Sequence, residues 1–352
     1  QMAFFDLAVK YAKLVGSNPK YVQLVAQAFL DHRGICNANS TVRGRTCHLF
    51  LKLVKSQTVR DTLAEFIDQV FSAITVRRSR APTSTTTSTT RQPALATMTH
   101  FCTRYSQRER YLYSYCLSDI PPAAHSHAFT HTRPLRSAAD APPPLPARHL
   151  QASLVIGDET VPPPENSSTL EFVDQTFLFE SVGVLLASPN VPAETFNRHL
   201  MALFEPLLAS VSKAPSGAVS EVVLTHSIAA MGHMTKGCSA SIFNDNAAAR
   251  TCLVSAVSTV IGIIPVAVQS SEVLSKIILF LHQMVTCLGE GILEKAPEFI
   301  LNLARTDDLK TMKLTLLLLN QLLARFRGSC AAPLDGMLSK LMERISHVIQ
   351  NG

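Results

Sequence analysis

The chain has 352 residues, of which 47% are apolar and 16% charged, and it has no tryptophan. That is enough apolar material for one to three packed domains, and it excludes a chain disordered throughout. The net charge of +6 is local: residues 75–151 carry ten arginines, no lysine and three acids, and the remainder sums to −1. Overall basicity is therefore no argument that the folded part binds nucleic acid.

Apolar residues recur at helical spacing over 2–15, 20–31, 42–56 and 60–74. Gly16-Ser17-Asn18-Pro19 punctuates the first pair. Between the second and third elements stand Asp31-His32-Arg33-Gly34 and Asn37-Ala38-Asn39-Ser40. Gly34 suits a left-handed residue that closes a helix, and the Asn/Ser cluster suits an N-cap. The third helix then sets Val42, Leu49 and Leu53 on an apolar stripe, with Arg43, Arg45, Lys52 and Lys55 between them.

Residues 76–168 break the pattern. They hold a Thr/Ser run at 83–90 and the proline clusters 142–146 and 162–164. Such a composition cannot bury enough apolar surface to offset its ordering entropy, so the stretch reads as a low-complexity insertion, either disordered or a translated intron. Helical spacing resumes over 170–187, 193–212, 218–234, 246–264, 271–288, 292–304, 307–327 and 334–349. The expected organisation is thus two hairpins in 1–75, the insertion in 76–168, and four hairpins in 169–352. Strand-like alternation is missing, and hairpins of roughly 35–45 residues match the period of HEAT-type repeats. The fold class is all-α, a superhelical solenoid. Neither end carries a polar capping repeat, so a segment of a longer solenoid is expected.

Chemistry-bearing motifs are scarce. No phosphate loop, GxSxG, HExxH or EF-hand pattern occurs. Asp307-Asp308 opens a helix and reads as an N-cap. The eight cysteines form no CxxC pair and sit in apolar patterns, which fits a reducing compartment. His100, Cys102, Cys116, His125, His127 and His131 in the insertion lack zinc-ligand spacing. His226, His233 and His282 lie in apolar helices and read as hydrogen-bonded interior or groove histidines. The uncharged stretch 251–271 is long enough to span a bilayer, yet lacks aromatic anchors and reads as a buried helix. No enzyme, metal, cofactor or small-molecule substrate is indicated. The basic cluster Arg33, Arg43, Arg45, Lys52 and Lys55 has two readings: phosphate contact from the solenoid surface, or a solvated face or Arg–Asp pairs between adjacent repeats with Asp31 or Asp61 as partner. Spacing favours the second.

At these same residues the sequence resembles the exportin-T family. The family's middle region carries Asp-His-Arg-Gly, then Val-Arg-x-Arg and a Leu-Phe helix ending in Val-Lys. Asp31–Gly34, Val42–Arg45, Leu49-Phe50 and Val54-Lys55 match. A second match runs through Phe179-Glu180-Ser181-Val182-Gly183-Val184-Leu185-Leu186 to Pro192-Ala193-Glu194. Weaker ones follow at Phe280–Met284, Cys287–Glu290 and Asn320-Gln321. The resemblance covers 1–75 and about 170–350. It implies an importin-β-like carrier that exports tRNA together with the GTPase Ran in its GTP form. Such a carrier passes nuclear pore proteins, shuttles between nucleus and cytoplasm, and does not insert into membranes. It makes Arg33, Arg43, Arg45, Lys52 and Lys55 candidates for RNA or Ran contact. The alternatives are a related carrier of protein cargo, or a HEAT-repeat scaffold with no transport role.

Overall fold

The computed structural model describes residues 2–74 and 170–351. The expected insertion and its histidines and cysteines lie outside the described residues. Every regular element among the described residues is helical. In chain order the α-helices are α1 Met2–Lys10, α2 Ala12–Gly16, α3 Pro19–Leu30, α4 Ser40–Val54, α5 Gln57–Ala64, α6 Ile67–Ile74, α7 Phe172–Leu186 and α8 Ala193–Ser212. They continue with α9 Glu221–Thr235, α10 Ala240–Asn244, α11 Ala247–Ala267, α12 Ser271–Leu288, α13 Ala296–Leu303, α14 Leu309–Phe326 and α15 Ala331–Asn351.

These helices pair into six hairpins: α1–α2 with α3, α4 with α5–α6, α7 with α8, α9 with α11, α12 with α13, and α14 with α15. The first helix of each hairpin packs on the first helix of the next, in the order α1, α4, α7, α9, α12, α14. The second helices of the last four hairpins, α8, α11, α13 and α15, form a parallel row behind. This stack is a HEAT-type solenoid. Hairpins 2 and 3 are direct neighbours, α4 on α7, although the chain between 74 and 172 separates them.

Capping explains where the helices begin. Asn18, Asn39, Ser220, Asn246, Ser270 and Asp308 each accept a backbone N–H from the first turn. Phenylalanines hold the first joint: Phe5, Phe29 and Phe50 are fully buried, with ring centroids 4.4 and 5.8 Å apart in sequence order. Each such burial contributes about 1.5–3 kcal/mol.

The expected helices 2–15 and 60–74 are each broken, at Tyr11 and at Glu65-Phe66. The expected helix 292–304 begins as a 3-10 turn, Gly289–Lys295, before α13. Gly34 does not adopt a left-handed backbone; positive φ occurs at Gly217, Gly289 and Arg327. Gly34 is needed instead for proximity, because a Cβ there would press on the Phe29 carbonyl. The uncharged stretch 251–271 is interrupted at the Ser270 cap. By length and composition Ala247–Ala267 and Ser271–Leu303 could cross a bilayer; here each buries about half its residues inside the stack.

Polar side chains tie successive first-row helices. Arg45 pairs with Asp6, Lys55 with Glu180, and His233 with Glu180. Further along, Gln283 Nε2 donates to the Thr235 carbonyl at 2.9 Å, and His282 Nδ1 lies 2.6 Å from Gln321 Oε1. All six hairpins are thereby linked along one row.

Candidate functional site

The basic cluster is built on the joint between α3 and α4. Arg33 folds back onto Asp31, with Nη2 2.6 Å from Oδ2 and Nε 3.1 Å from Oδ1. The Asp31 carboxylate also accepts the Arg33 backbone N–H at 2.8 Å. Arg43 is buried, 8% exposed, and its Nη1 donates to the Asn37 and Ala38 carbonyls at 2.8 and 3.0 Å. It stitches the loop that precedes its own helix. Reaching a ligand in solvent would require releasing those carbonyls, so Arg43 is a scaffold residue of the joint. Asp31 does pair with this cluster, but within one loop and not between repeats as expected; the cluster's Arg–Asp pair between hairpins is Arg45 with Asp6. Asp61 does not pair with it: it accepts from Gln57 Nε2 at 2.9 Å and receives Ser188 Oγ from hairpin 3 at 3.4 Å.

The other three cations lie along exposed positions of α4 and its C-cap. Arg45 pairs with Asp6 at 3.0 Å, both side chains well exposed. Such a pair contributes at most about 1 kcal/mol and opens readily to another anion. His48 stacks on Phe177 of α7, centroids 5.1 Å apart. Partial burial, then Lys52, Arg45 and Lys55, hold its imidazole below the usual range, so it is neutral among cations at neutral pH. Lys55 Nζ reaches Glu180 Oε1 at 2.9 Å.

Glu180 is the centre of a network that the sequence did not single out as a site. Its carboxylate, 10% exposed, takes Lys55 from hairpin 2, and His233 Nδ1 (3.0 Å) and Lys236 Nζ (3.4 Å) from hairpin 4. Burial alone would raise its pKa. The hydrogen bond from His233 and the charges of Lys236 and Lys55 outweigh burial and hold it well below the usual carboxylate range. Burial and Lys236 keep His233 low despite Glu180, so its neutral ring donates Nδ1–H to the carboxylate. The available signal was a charged residue inside the apolar run Phe177–Leu186.

Beside this network a cleft of about 580 Å³ opens between hairpins 1 and 2. Lys10, Lys13, Lys52 and Lys55 line it, with Tyr11 and Ser56, and among the described residues no acidic side chain does. Lys10 and Lys13 were visible in the sequence only as interruptions of an apolar helix.

The interior histidines divide. His282 and His233 have the expected polar partners. His226 does not: it is 6% exposed, stacks on Phe172 with centroids 4.1 Å apart, and neither ring nitrogen finds a hydrogen-bond partner among the described residues. Burial, then the nearby His233, push its pKa down to about 3. The unfolded chain therefore takes up a proton below about pH 6.5 that the folded chain refuses until about pH 3, and stability falls across that window. Substituting His226→Leu is expected to leave stability at pH 7 equal or higher. It should remove roughly 2–4 kcal/mol of the loss between pH 7 and pH 4. Urea melts of both proteins at the two pH values check this; parallel losses would mean that His226 protonates freely in the fold.

Among the described residues no three His, Cys, Asp or Glu side chains gather as a metal site would need. Burial pushes the Cys36, Cys252 and Cys287 thiols up to about 11, which leaves them as packing groups at neutral pH.

Comparison with known proteins adds to this geometry. The family model described as Exportin-T matches residues 153–352. Exportin-T of Homo sapiens is 22% identical over 366 residues, covering 99% of this chain and 29% of the human protein. Exportin-T of Danio rerio is 21% identical over 365 residues and that of Arabidopsis thaliana 22% over 371, each covering 99% of this chain. The chain spans about three-tenths of the length of these relatives.

Proposed function

Because the chain belongs to the exportin-T family, we propose that it forms part of a carrier that takes tRNA out of the nucleus. The family match over 153–352 carries this reading. The chain acts by binding and not by chemistry. Its stacked hairpins present cations to the phosphates of a folded RNA and read its shape more than its base sequence. Lys52, Lys55 and Arg45 are the contact residues among the five candidates, since their side chains are exposed and, unlike Arg33, are not folded back onto their own loop. Arg33 and Arg43 support the joint that positions them. Ran in its GTP form holds the curvature that fits the RNA, so the two ligands tighten each other, and release follows GTP hydrolysis in the cytoplasm. The carrier passes the pore by contact with nuclear pore proteins and shuttles between the two compartments.

Gel retardation of tRNA by the chain, with and without Ran loaded with GTP and across a salt series, tests this. The expected result is RNA binding whose logarithm falls by roughly 0.7–0.9 per phosphate neutralised for each unit of log salt, strengthened about 5- to 150-fold by Ran. Preference for a peptide signal over tRNA would instead make the chain part of a carrier of protein cargo. Indifference to both RNA and Ran would make it a scaffold.

A further inference from the structure

Lys10 ends α1, Lys13 lies in α2, Lys52 is in the last turn of α4, and Lys55 caps it. Hairpin stacking brings all four to one cleft, although more than thirty-five residues separate the two pairs in sequence. Lys55 is paired with Glu180. No described acidic residue lies within ion-pair distance of Lys10, Lys13 or Lys52.

The bland explanation is that these lysines complement the negative ends of α1, α2 and α4. Each such end carries about half an elementary charge, so three ends supply at most roughly −1.5. Among the described residues no acidic side chain lining the cleft supplements those ends, so the cleft keeps a net positive charge. Like charges lining one cleft favour an anion there. Ser56 and the half-exposed Tyr11 also line the cleft, and Lys10 Nζ lies 5.6 Å from the Tyr11 ring centroid.

We propose that the cleft between hairpins 1 and 2 is a phosphate site, in which Lys10, Lys13 and Lys52, with Lys55 at its edge, hold two or more adjacent phosphoryl groups. The inference rests on the reading that the carrier grips RNA by its phosphates, and it assigns two residues and a place to that grip. Adjacent phosphates are supplied either by an RNA backbone or by a free polyphosphate. Lys55 also joins the cleft to hairpins 3 and 4 through Glu180. A phosphate drawing Lys55 away would therefore loosen a tie that spans three hairpins.

The test uses the full chain and its Lys10→Ala/Lys13→Ala double variant, with Lys310→Ala/Lys313→Ala on exposed positions of α14 as the control. Sodium tripolyphosphate is titrated calorimetrically at low salt, and tRNA by gel retardation. One tripolyphosphate per chain is expected, weakened roughly tenfold or more in the cleft variant and unchanged in the control. For tRNA the cleft variant should show a salt slope lower by about two. All lysines involved are exposed, and an unaltered thermal melt establishes that the variants fold. If tripolyphosphate and tRNA bind the cleft variant as they bind the parent, the proposal falls while the RNA reading stands. If tripolyphosphate requires Lys10 and Lys13 but tRNA binds neither protein, the cleft stands as a free-polyphosphate site and the RNA reading falls.

Discussion

Alanine at Gly183 is expected to destabilise the solenoid by about 2–3 kcal/mol, whereas alanine at Gly262 should stabilise it by about 0.5–1 kcal/mol. Both glycines are inside helices, α7 and α11, and in both the substitution gains the same helix propensity. The difference is space. A Cβ at Gly262 meets nothing within 4 Å. A Cβ at Gly183 would run into the Met234 carbonyl oxygen, and one at Gly237 would lie 2.6 Å from Val184 Cα. Two backbones thus approach each other through reciprocal glycines, and backbone cannot swing aside as a long side chain can. Separating α7 from the end of α9 would also pull Glu180, one turn before Gly183, away from His233 and Lys236. Thermal melts of the two variants give opposite shifts if this is right. A Gly183→Ala protein melting at or above the parent would show that the close approach is dispensable.

The hairpin spacing was legible because apolar residues recur at helical spacing and six of the described helices open on a side-chain cap. Asn39 and Asp308 act as N-caps where the sequence placed them. The breaks at Tyr11 and Glu65-Phe66 were not legible, because no glycine or proline marks them. Arg43 was misplaced for a different reason. A charged letter reads as solvent-facing, but its partners are loop carbonyls, which every residue possesses and no sequence pattern displays. Glu180 stood out as a charge in an apolar run, yet its partners lie 125, 53 and 56 residues away, in other repeats. Within one repeat, letters report structure well. Between repeats the contacts follow from stacking register. Within the second stretch that carries the family resemblance, Phe179–Leu186, Glu180 reaches cations of hairpins 2 and 4 and Gly183 meets the Met234 carbonyl, so that stretch bears on the register.

Removing the Glu180 carboxylate should cost far more than removing any one of its partners. Glu180→Ala is expected to lose about 3 kcal/mol, because Lys55, His233 and Lys236 would then crowd a partly buried space without an anion. Lys55→Met is expected to lose less than about 1 kcal/mol, since that ammonium is 55% exposed and water replaces its partner. The pH dependence separates this network from His226. Glu180 has a folded pKa well below its unfolded value, so its contribution is complete above about pH 4.5 and disappears as pH falls through the lower range. The His226 loss begins earlier, below about pH 6.5. The gap in stability between parent and Glu180→Ala should therefore stay constant from pH 7 to pH 5 and close only in stronger acid. A gap that narrowed already at pH 6 would place the titration on His233, and a Glu180→Ala loss no larger than that of Lys55→Met would mean the three-hairpin tie adds nothing to stability. A central anion that holds Lys55 of hairpin 2 and Lys236 of hairpin 4 ties three hairpins at one point.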